Sequence, residues 1–151
     1  MREILFRGKS VNDGEWVQGS LVVTTIEPAD DTPIKHYHIE DMTIGVFPNG
    51  FQSGVSETVN PNTVGQYTGL TDKNGKKIFE GDIVRHWNGS EDGYDTGRVY
   101  WDTNYCGWRR TTDGFFHQKV VDTFRMNLKC IYEVIGNIYD NPELLEVSDN
   151  G

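Results

Sequence analysis

The stretch Val64 to Arg85, VGQYTGLTDKNGKKIFEGDIVR, decides the fold class. Two alternating apolar runs flank Asp72-Lys73-Asn74-Gly75, and Asn followed by Gly accepts the positive φ of a tight hairpin connection. A hairpin is therefore expected. Glu80-Gly81-Asp82 marks a second reversal, leading into Ile83, Val84 and Arg85 as a further strand. Every residue of the stretch has a local structural role, and none is an obvious catalyst.

Working outward, strand patterns dominate. Glu3 to Arg7 opens a strand, Glu15 to Thr25 a longer one, with Gly14 marking its turn and Gly19 a bulge, and Ile34 to Glu40 an alternating one. Glu27 to Pro33 reads as a loop. Pro48-Asn49-Gly50 and Val59-Asn60-Pro61-Asn62 read as turns, and Ile83 to Trp87 and Gly97 to Trp101 as strands joined by a polar loop. Helix signals are few. Asn141 before Pro142 and Glu143 suits a short C-terminal helical turn, whereas His117 to Met126 has no firm cap and contains Val120-Val121, so it is left as strand or loop.

The motifs QYTGL, DKNGK and EGDIV fall in order with three others: MREILFRGKS at the start, Glu15-Trp16-Val17-Gln18-Gly19, and YEVIGNIYDNPELL from Tyr132 to Leu145. Together they make the chain resemble the YopX family of small proteins from phages and prophages of bacteria. The resemblance spans nearly all of the sequence as one domain, 1–151, with a candidate sub-boundary near 55–62. It implies a mainly β fold with an SH3-like barrel core and additional N-terminal strands. It implies no established activity. Pro28 to Ser53 and Trp108 to Arg125 depart most from the family pattern, so a function peculiar to this member is expected there.

The chain has 151 residues, enough to bury a core of its own without metal or disulfides. Cys106 and Cys130 follow no CxxC spacing and are expected as buried free thiols, which suits a reducing cytoplasm. No run approaches the ~20 apolar residues of a membrane span, and no positively charged start precedes an apolar stretch. The expected location is the cytoplasm of the bacterial host. Twenty-three acidic against fourteen basic residues give a net charge of −9, which repels phosphate backbones at long range.

Two groups of residues carry candidate chemistry. His36, His38 and Glu40 share one face of an alternating strand, so two imidazoles and a carboxylate could meet a divalent metal. The competing reading is a polar strand face. Trp87, Trp101, Tyr105, Trp108, Arg109 and Arg110 form an aromatic and basic run, with Tyr94 and Tyr100 nearby, suited to a partner or to nucleic acid. Here the competing reading is packing in a small β core. No GxSxG elbow occurs. Gly69 to Lys76 fails as a phosphate loop because its glycines are one residue too far apart and Lys77 stands where Ser or Thr is needed.

The leading expectation is a non-catalytic phage or prophage accessory protein acting through protein–protein contacts, self-association included, with no catalytic residue and no cofactor. A nucleic-acid-binding β-barrel module is the first alternative. A metal-dependent enzyme built on His36 and His38 is the second.

Overall fold

A computed structural model describes residues 3–28, 32–46, 52–87, 89, 91, 93–111 and 131–145. The described chain is mainly antiparallel β, and it divides into two compact units, Met1–Gln66 and Tyr67–Gly151. The division lies just beyond the 55–62 segment, inside a strand.

In the first unit, β1 (Phe6–Lys9), β2 (Trp16–Ile26), β3 (Ile34–Val46) and β4 (Gln52–Thr58) lie side by side in the order β4-β3-β2-β1. β2 changes partner half-way along: Phe6↔Gly19 to Lys9↔Trp16 join it to β1, and Ser20↔Glu40 to Ile26↔Ile34 join it to β3. Gly19 stands at the changeover. A Cβ there would overlap the carbonyl of Glu40, so the glycine permits close backbone approach rather than the expected bulge. Ile39 and Val59 fill the small core beside the bare backbone of Gly8. A 3-10 turn (Pro61–Thr63) follows, capped by the Asn60 side chain, which accepts from the Asn62 N–H at 3.0 Å. Thr63 ties it to β1 by accepting from the Lys9 N–H at 2.9 Å.

β5 (Gly65–Thr71) starts beside β1, through Phe6↔Gln66 and Arg7↔Gly65, and its remainder opens the second unit. There β6 (Lys77–Phe79) folds back on β5 across the Asp72–Gly75 turn, with Gly75 at φ +84°. Gly81, at φ +82°, makes the next reversal into β7 (Asp82–Trp87). β8 (Tyr94–Asp102), β9 (Gly107–Arg110) and β10 (Glu133–Asn137) complete a four-stranded sheet in the order β10-β7-β8-β9. Ile78, Val84, Val99, Trp108 and Tyr132 form its buried core, with Leu70 and Val134 packed against them.

Among the described residues neither sheet closes into a barrel. Pro142–Leu145 forms a 3-10 turn in which the Asn141 carbonyl accepts from Leu144 N–H at 3.1 Å. The Asn141 side chain serves another purpose, accepting from the Asn137 N–H at 3.4 Å. Cys106 corrects the buried-thiol expectation: it is exposed, at φ +49°, in the turn joining β8 to β9. Cys130 and the segment His117 to Met126 lie outside the described residues.

Candidate functional site

His36 and His38 do share a strand face, with rings stacked 6.3 Å apart. Among the described residues, the positions opposite the two histidines carry no third ligand. β2 sets Thr24 and Val22 opposite the two histidines, and β4 sets Thr58 opposite His38 and Ser56 opposite Glu40. The His38 Nδ1 lies 3.2 Å from the Thr58 hydroxyl. Among the described residues, no three His, Cys, Asp or Glu side chains gather as a metal-holding group. The register sets Thr24, Val22, Thr58 and Ser56 around His36, His38 and Glu40.

The aromatic and basic run is sorted by alternation. Side chains of β8 and β9 point to opposite faces in turn, and the pairs Val99↔Arg110 and Trp101↔Trp108 fall on the core side. Trp108 and Arg110 are consequently buried, which removes both from any surface. Trp101 meets Trp108 edge to face, ring centres 5.1 Å apart, at the rim of the core. Among the described residues, Nε and Nη1 of Arg110 and Nε1 of Trp108 have no hydrogen-bond partner, and the Arg110 guanidinium lies 5.6 Å from the Tyr132 ring.

The opposite face collects a different set. Trp87↔Tyr94 and Arg85↔Thr96 lie on it, followed along β8 by Arg98 and Tyr100, and across Tyr100 by Arg109. Trp87, Tyr94 and Tyr105 are 65%, 53% and 68% exposed. Two guanidinium groups lie against these rings, Arg85 at 4.8 Å from Tyr94 and Arg109 at 3.6 Å from Tyr105. At one end of the face Glu133 bridges two cations, Lys73 at 2.8 Å and Arg85 at 3.2 Å. Those two hydrogen bonds hold its carboxyl below the usual range. At the other end Asp102 faces Arg109 at 3.6 Å.

Arg85 and Arg98 were missed by reading the sequence as contiguous runs. The signal that would have found them is alternation across the hairpin, since Arg98 stands two positions before Tyr100 and Arg85 two before Trp87.

With this architecture in view, the family comparison is decisive: the YopX protein family model matches residues 5–146. The chain belongs to the YopX family. Its fold is similar to the crystal structure of protein EF1440 from Enterococcus faecalis, with a TM-score of 0.50 at 24% identity, over 96% of this chain and 99% of that one. That likeness concerns the fold alone. No curated protein matches the sequence. In this YopX-family chain the expected insertion Pro28 to Ser53 contributes all of β3 and the first two residues of β4, and Trp108 to Arg125 begins in β9 and then passes outside the described residues.

Proposed function

We propose that this YopX-family protein is a non-catalytic accessory protein of a phage or prophage, working in the host cytoplasm by binding protein chains, its own copies first. The observation that carries the reading is the state of the first unit's sheet. β2 and β3 run well beyond their small core, and Val23, Ile26, Ile34 and Val55 stand exposed along them and β4. A ribbon of two or three strands uncovered on both faces is marginal in water, which favours a partner.

β4 also ends its sheet, and its sequence QSGVSET has neither Lys nor Pro to discourage pairing. Val55 is its middle residue. A two-fold antiparallel β4–β4 pairing would place Val55 against its own copy, with Glu57 opposite position 53 rather than opposite another carboxylate. Light scattering across a dilution series tests this. A dimer is expected for the native chain and a monomer for Val55→Lys, and a native monomer at every concentration would end the self-association reading.

The SH3-like connectivity belongs to the same proposal. Its support is the order β10-β7-β8-β9, in which the last strand returns beside the first of the four. An experimental structure that left β9 without a neighbour on its outer side would count against it.

A further inference from the structure

We propose that the open face of the second unit's four-stranded sheet binds single-stranded nucleic acid, with bases stacking on Trp87, Tyr94 and Tyr105. This site lies in a different unit from the strand edge discussed above, so either reading can fail without the other. The face is set by register: one side of the β7–β8–β9 sheet holds the core, and the other, beyond the buried Ile83 at the start of β7, holds exposed rings interleaved with guanidinium groups.

Charge argues for an anionic occupant. Among the described residues, Lys73 and Arg85 pair with Glu133 and Arg109 with Asp102, so both of these carboxylates are already engaged. The surface is locally positive on a chain whose total charge is −9. Arg98 is exposed and makes no ion pair among the described residues, so it stands ready for a phosphate. Asp95, the remaining acid on the strand, points to the core side, where it lies 4.0 Å from His86.

The occupant's shape follows from what the face lacks. Its one aliphatic side chain, Ile83, is buried, and the exposed positions offer rings and guanidinium groups, whereas a protein interface is built around a well-packed apolar centre. Flat rings flanked by cations suit bases and the backbone that links them. A duplex hides its base faces within the stack and offers such a surface only phosphates, so unpaired strands are the better match.

The test uses the full chain and fluorescein-labelled oligothymidylate and oligouridylate of about twelve residues, within the usual site size for such surfaces. At low salt, saturable anisotropy with quenching of tryptophan emission is expected. Affinity should fall with salt at a log–log slope of about −2, since three exposed cations each release ~0.7 of a counterion. Trp87→Ala and Arg98→Glu should each weaken binding by about fivefold or more while leaving the circular-dichroism melt unchanged. No saturable binding at low salt, equal or tighter binding of a duplex of the same length, or unchanged affinity in both variants would each overturn the proposal. So would nuclease-resistant capture of a protein that the same two variants abolish, which would assign the face to a protein instead.

Discussion

Asp72 is nearly out of water, yet both its carboxylate oxygens are engaged. Oδ1 accepts from the N–H groups of Asn74 at 2.8 Å and Lys76 at 2.9 Å, and Oδ2 accepts from Val134 at 3.1 Å, so one side chain shapes the turn and fastens it to β10. Burial pushes its pKa up, but the N–H groups of Val134, Lys76 and Asn74, with the nearby Lys76 charge, outweigh it and the carboxyl titrates below its ordinary value. A folded-state pKa below the unfolded one means stability that is present above about pH 4 and lost as the pH falls through the folded value. Asp72→Asn would turn an amide donor or a weaker acceptor toward three N–H groups. Urea unfolding at pH 7 should show a loss of about 1–3 kcal/mol, and the gap to the native chain should narrow below about pH 4. Arg110 presents the opposite case. Its buried Nε and Nη1 lack partners, so Arg110→Met should be neutral or stabilising by about 1–2 kcal/mol in the same measurement.

At the scale of elements, the hairpins were legible because their turns are written in local chemistry. Asn74-Gly75 and Gly81 demand positive φ, and the structure has it at both glycines. The candidate surfaces were not legible, because a strand's face depends on a partner distant in sequence. Alternation put His36 and His38 together, but only the pairing of β3 with β4 reveals that Thr58 and Ser56 stand where further ligands would be needed. Likewise the run Trp101 to Arg110 reads as one patch until the turn between β8 and β9 folds it in half. The exposed Cys106 sits in that turn, where a strand was expected to bury it. Gly97 tests the packing of this hairpin end. A Cβ there would overlap the carbonyl of Thr111, whose N–H donates to the Arg98 carbonyl at 2.9 Å, so Gly97→Ala should cost about 2 kcal/mol or more in chemical denaturation.

For the whole molecule the governing quantity is charge. Acids outnumber bases in the chain as a whole, which reaches neutrality near pH 4.8. Asp72 and Glu133 titrate below their ordinary values, so their interactions persist at that pH. Turbidity should therefore peak near pH 4.8 while far-ultraviolet circular dichroism stays native, with unfolding only at lower pH. Loss of the native spectrum at or above the turbidity peak would contradict that order.

The peptide at Gly81 joins distant parts of the second unit: its N–H donates to Val99 at 2.9 Å and its carbonyl accepts from Ile138 at 2.9 Å. The acceptor Val99 lies in the middle of β8 and the glycine is buried, so the Gly81 N–H is not released by fraying at the ends of β8. In heavy water the Gly81 proton should be among the last in that unit to be replaced by deuterium. Its exchange half-life would then serve as a clock for how often the β core comes apart.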